Sequence, residues 1–232
     1  MMLRGRARLP LLAEIAGPAE ATRSWSLRRD DFGALGEVLP QLAEHRVVAV
    51  AGEGGEPAIA AIALASAAAA AGCRTILVEC ALAQPRLGQH LGLAAAPGLH
   101  EYLRWEAEPA DVLQPVMLAG PAAGGLAEPL VCVCAGRPAS DAETLLGLPS
   151  FSHMTAKLRS AYELVLLLAP PVLGEPGACL AVAAQADATV AGLREGMTQG
   201  RDGRALRAAI RHLPPPALGS VAVAGVAWIQ RS

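Results

Sequence analysis

Six short runs of aliphatic residues punctuate the chain: RVVAVAG (46–52), RTILVEC (74–80), LVCVCAG (130–136), ELVLLLAPP (163–171), ATVAGLRE (188–195) and VAVAGVAW (221–228). Each is continuously apolar, the mark of a strand buried on both faces rather than one with a wet side. Between them, residues 31–43, 58–71, 140–146, 151–162, 177–185 and 202–213 carry helical patterning. Alternation of strand and helix predicts an α/β fold, a mainly parallel sheet of about six to eight strands with helices on both faces. Val48, Val50, Ile76, Val78, Val131, Val165 and Leu167 are the expected core. Residues 94–97 and 118–128 read as flexible connections, no repeat is apparent, and the whole of 1–232 is expected to be one domain with a leader over 1–29.

Composition narrows the function classes. With 232 residues, 53% of them apolar and only 3% aromatic, the core must be built from small and aliphatic side chains. A net charge of −2 supplies no field that would recruit nucleic acid or an anionic membrane. Eighteen of the nineteen basic residues are arginine; the single lysine is Lys157. Cys73, Cys80, Cys132, Cys134 and Cys179 form no C-x-x-C pair and read as reduced, buried thiols of a cytoplasmic protein. The basic start is too soon broken for a signal peptide, and 58–71 is too short to span a membrane.

In such sheets ligands bind beyond the carboxyl ends of the strands, and the first strand-to-helix loop is the usual phosphate site. That place is held here by AGEGGEPAIAAIALASAAAAAG (51–72). Its glycines suit a loop that wraps an anion, and they equally suit a tight turn kept for packing. Pro57 fits the first turn of the following helix, where its missing amide hydrogen would otherwise face a ligand.

The order of further signals is more specific. RTILVECALAQPRLGQHLGLAAAPGLHEYL (74–103), LVCVCAGRPASDAETLL (130–146), LRSAYELVLLLAPPVLG (158–174) and AQADATVAGLREGMT (184–198), preceded by RLPLLAEIAGP (8–18), resemble the cytoplasmic P-loop domain of bacterial tyrosine kinases, within the MinD/ParA group of deviant-Walker ATPases. The resemblance covers nearly the whole chain. It implies the P-loop NTPase-like form of the α/β fold and a place in capsule or exopolysaccharide synthesis or export.

The resemblance also marks where chemistry is missing. In the family the loop lysine neutralises phosphate charge and the adjoining hydroxyl binds magnesium. Along Gly52, Glu53, Gly54, Gly55, Glu56, Pro57, Ala58 and Ile59 these positions fall on Pro57 and Ala58, and the next threonine on Ile59. No slip in alignment restores them, because residues 1–156 contain no lysine. The second acidic motif, Asp-x-Asp-x-x-x-Pro, matches Glu79, Ala81 and Pro85, and the third-motif aspartate matches Leu168, ahead of Pro170 and Pro171. A triphosphate would meet Glu53 and Glu56 without lysine or metal, each close like-charge pair costing on the order of 1 kcal/mol. No catalytic residue, metal site or cofactor is therefore expected.

The resemblance then implies a degenerate, non-catalytic member with a regulatory or scaffolding role. Its partner would be a protein, either a membrane chain-length determinant or an intact P-loop paralogue, which would hold it in the cytoplasm at the inner membrane without direct insertion. A second reading keeps ATP and magnesium, as a nucleotide-binding ATPase or tyrosine kinase whose site is non-standard or completed by a partner, with Arg86 and Arg137 as charge sources. The family's self-assembly motif, Glu-x-x-Arg-x-x-Arg, matches Asp30, Gly33 and Gly36. The tyrosine-rich tail of the family has no counterpart in GVAWIQRS, and Tyr102 and Tyr162 lie in helical stretches. His45, His90, His100, His153 and His212 are expected at surfaces or helix ends, Asp187 as a cap, and Arg23, Ser24, Ser26, Arg28 and Arg29 on a solvated face.

Overall fold

The computed structural model describes residues 9–18, 29–117, 128–197 and 201–225. Strand β1 (Leu11–Ala16) is followed by helices α1 (Arg29–Gly36) and α2 (Leu39–Leu42), then β2 (Val47–Gly52), α3 (Glu56–Ala70) and β3 (Thr75–Glu79). Three short helices come next, α4 (Leu87–Leu91), α5 (Leu99–Leu103) and α6 (Pro109–Val112), leading to β4 (Gln114–Val116) and β5 (Leu130–Val133). The rest runs α7 (Ala142–Leu146), α8 (Pro149–Ala161), β6 (Leu164–Leu168), α9 (Pro176–Ala183), β7 (Ala188–Arg194), α10 (Arg201–Arg211) and β8 (Ala217–Ala224).

The strands form one eight-stranded sheet in the order β1-β8-β7-β2-β6-β3-β5-β4. Every pairing is parallel except that of β4 with β5. Side-chain alternation divides the core into two apolar layers. Val48, Val50, Leu166 and Leu168 face a layer with α1, α2 and α3, while Val47, Ile76, Val165 and Leu167 face one with α5, α8, α9 and α10. A helix apolar on all sides must be enclosed, and α3 is buried from Glu56 to Ala69, between the sheet and the α1–α2 pair.

The elements differ from the sequence expectation in four places. The single helix expected over 31–43 is interrupted before Leu39, because Pro40 lacks the amide hydrogen that would continue it. Residues within the leader form β1, whose Ala13 and Ile15 are buried while Leu11 and Glu14 are exposed. Helices α4 and α6 and strand β4 were not foreseen, and α5 only through the helical stretch expected around Tyr102; with three to five residues each, they are too short to show a period. Val131 is only partly buried, since β5 has only the short edge strand β4 beyond it, whereas the other six expected core residues are fully enclosed.

Among the described residues no helix is long and apolar enough to cross a membrane. The basic cluster at Arg23, Ser24, Ser26 and Arg28 and the terminal residues 226–232 lie outside the described residues. Gly33 and Gly36 lie on α1 facing open space. Tyr102 is on α5 and Tyr162 caps α8.

Candidate functional site

The carboxyl ends of β2, β3 and β6 converge on a small cavity. Gly52, Gly54, Pro57, Ala58, Glu79, Ala81 and Leu168 all line it, together with Gln84, Arg86, Ala169 and Pro171. The three sequence stretches aligned to the family motifs therefore meet in space. The free volume is about 20 Å³, roughly that of one water. Ile59 is not part of the lining; it is buried in the layer beneath, with α1 and α2.

Pro57 is seated by glycines. A Cβ at Gly52 would lie 2.4 Å from the Gly192 carbonyl oxygen and 2.7 Å from the Pro57 ring, and one at Gly192 only 2.5 Å from Pro57 Cα. The first turn of α3 thus rests directly on β7, and no side chain intervenes. Gly192 was not singled out from sequence; its signal is a glycine inside a strand, which marks close approach of another backbone.

Glu56 is the least expected feature. Its side chain does not project into solvent; the residue is 2% exposed and turns back into the loop. Oε2 accepts a hydrogen bond from the Gly55 N–H at 3.1 Å and lies 2.7 Å from where a Cβ of Gly54 would stand. Oε1 accepts from Arg194 Nε at 2.7 Å. Gly54 has φ +74°, the left-handed conformation that lets the chain turn this tightly. A helix N-terminus favours negative charge, and here the chain supplies that charge itself. Arg194, the guanidinium that completes the arrangement, was absent from the sequence reading.

Glu53 turns the other way, accepting from the Leu173 N–H. Glu79, which the resemblance matches to the second acidic motif, is fully buried. Its Oε1 accepts from the Arg86 and Leu87 N–H groups and its Oε2 from the Ala135 N–H at 3.1 Å. Burial pushes its carboxyl above the usual range against the pull of these three donors. The side chain staples the loop after β3 to the loop after β5, so its oxygens are spent on backbone. Leu168 is buried, and its carbonyl accepts from the Cys80 N–H at 2.9 Å.

Of the two expected charge sources, Arg86 lines the cavity and Arg137 does not. Arg137 Nε donates to Glu101 Oε1 at 2.8 Å, and the same guanidinium pairs with Glu106. Asp187 acts as a cap: Oδ2 accepts from the Arg46 and Val47 N–H groups, and Oδ1 pairs with Arg159. His100 lies in the first turn of α5 but is buried rather than superficial, because Arg104 folds over it and donates to Nε2 at 2.7 Å. All five cysteines are free, and burial pushes the Cys134 and Cys179 thiols up to about 12. Among the described residues no three His, Cys, Asp or Glu are grouped to hold a metal.

A larger hollow of about 430 Å³ lies at the opposite, amino ends of the strands, against α2 and the end of α3. Its polar residues serve the fold, Arg46 donating to the Tyr162 carbonyl and Glu163 accepting from the Arg74 N–H. No chemistry converges there.

Neither the family models nor the curated proteins contain a match to this sequence. Solved structures do match in fold. The kinase domain of Escherichia coli tyrosine kinase ETK has a TM-score of 0.74 at 15% identity, over 97% of this chain and 94% of that one. The BceF tyrosine kinase domain has a TM-score of 0.72 at 19% identity, over 94% of each chain. The chimerical protein CapA2B2 has a TM-score of 0.75 at 16% identity, over 95% of this chain and 96% of that one. The chain has the α/β, P-loop NTPase-like fold of bacterial tyrosine kinase domains.

Proposed function

We propose that this chain is a non-catalytic counterpart of the bacterial tyrosine kinase domain, acting by protein contact as a regulatory or scaffolding subunit of capsule or exopolysaccharide production. The observation that carries the proposal is the buried Glu56 carboxylate, held inside the loop by the Gly55 N–H and Arg194. An amide hydrogen that a phosphate would need is committed to the chain's own anion. A triphosphate arriving there meets like charge, with Pro57 and Ala58 where the resemblance places the lysine and the magnesium-binding hydroxyl.

The fold shared with tyrosine kinase domains supports the biological setting, and the partner proposed is a membrane chain-length determinant or an intact P-loop paralogue, through which the chain would sit at the inner membrane. Incubation with γ-labelled ATP, magnesium and a tyrosine copolymer tests the non-catalytic part, and no incorporation above a heat-denatured control is expected. Recovery of the tagged chain from its own host tests the partner. Co-isolation of a polysaccharide chain-length determinant or a P-loop kinase supports the proposal, and recovery of the chain alone contradicts it.

A further inference from the structure

Helix α5 ends in a left-handed turn at an unusual residue. The Glu106 N–H donates to the Glu101 carbonyl and the Trp105 N–H to the Tyr102 carbonyl, the paired bonds of a Schellman motif. The residue after the cap in that motif is ordinarily glycine, because it must adopt positive φ. Here it is Trp105, at φ +62°. A bulky side chain is strained in that region, and Trp105 gains nothing from burial in return, being 84% exposed.

Its neighbours hold the indole outward. Arg104 Nη2 donates to Asp141 Oδ2 at 2.6 Å, and Glu106 pairs with Arg137, so both flanking side chains are drawn onto the loop after β5. Glu101, beneath, accepts from the Gly98 and Arg137 N–H groups and fixes the same turn. The turn that carries this solvent-facing indole is fixed by those bonds, so the backbone has little freedom to lose when a partner covers the ring, as suits an interface anchor.

The surrounding charge selects the partner. Glu106, Glu108, Asp111 and Asp141 are exposed and Glu101 is buried beneath; Arg104 pairs with Asp141 and Arg137 with Glu101 and Glu106, so five carboxylates stand against two guanidiniums and the exposed patch is net negative, with Glu108 and Asp111 outside these ion pairs. An acidic rim disfavours nucleic acid, an anionic membrane and the same patch of a second copy. We propose that Trp105 anchors a docking surface for an arginine- or lysine-rich peptide segment of a partner protein, one cation stacking on the indole and its neighbours meeting the rim carboxylates. This site is separate from the glycine loop and does not depend on how that loop is read.

The test uses the full chain and a fluorescein-labelled dodecapeptide containing six arginines, with fluorescence anisotropy at 50 and 300 mM salt. Micromolar binding that weakens with salt is expected, with at least a tenfold loss in Trp105→Gly and a melting temperature no lower than that of the wild type. The glycine variant relieves the strained turn, so lost affinity cannot be ascribed to lost folding. Failure of the wild type to bind, equal binding by Trp105→Gly, or equal binding of a six-glutamate peptide would overturn the proposal. So would Trp105-dependent binding to vesicles with 30% anionic lipid in place of the arginine peptide, or a dimer that Trp105→Gly dissolves.

Discussion

Glu56 and Glu101 show how one residue type takes opposite assignments in two connections of one sheet. Glu56 supplies an anion to a loop of the kind that otherwise receives one, whereas Glu101 braces a turn. Burial would raise the Glu101 carboxyl, but donors from the Arg137 side chain and from the Gly98 and Arg137 N–H groups outweigh it and hold the group at about 2. Because the folded value lies below the ordinary 4.5, the stabilisation is complete above that value and is lost as pH falls from 4.5 toward 2. Thermal melts across this window should show a falling midpoint in the wild type. Glu101→Gln should lower stability at pH 7 by about 1–3 kcal/mol and flatten that acid limb. At the close approach of β7 to α3, Gly192→Ala should cost about 1–3 kcal/mol in denaturant unfolding, since its Cβ would meet the Pro57 backbone.

Among the elements, α1 carries a correctable weakness. Gly33 lies inside that helix with nothing within 4 Å of a Cβ, so Gly33→Ala should stabilise by about 0.5–1 kcal/mol, visible as a rise of a few degrees in melting temperature. What the sequence discloses about elements follows from burial. Strands β2, β3 and β6 are buried on both faces, and their apolar runs are unbroken, so they are legible. Strand β4 is three residues long with Pro115 at its centre, and its place is set by Gln114, whose side-chain amide bonds both the N–H and the carbonyl of Ala94. Nothing local announces such a strand. The turn at Trp105 was equally hidden, because the expected signal there is glycine.

For the whole molecule, topology decides which residues of the site could be foreseen. Gly52, Pro57, Glu79 and Leu168 stand at or just beyond the ends of strands that the apolar runs already locate, so their meeting at one cavity follows once the sheet is parallel. The pairing of Glu56 with Arg194 spans 138 residues and depends on β7 lying beside β2, a neighbour relation that no local pattern encodes. This long-range pair also sets what restoring a nucleotide site would require. Pro57→Lys, Ala58→Ser and Leu168→Asp together should leave Mg-ATP binding undetectable while Glu56 keeps its place in the loop. Adding Glu56→Ala to those three should return measurable affinity, provided the melting curve shows a folded protein.

The central claim is that the loop is filled by its own carboxylate and is closed to nucleotide. Titration calorimetry of the wild-type chain with Mg-ATP and Mg-ADP at neutral pH tests it most directly. The account predicts no saturable heat up to millimolar nucleotide; a micromolar dissociation constant for either ligand would contradict it.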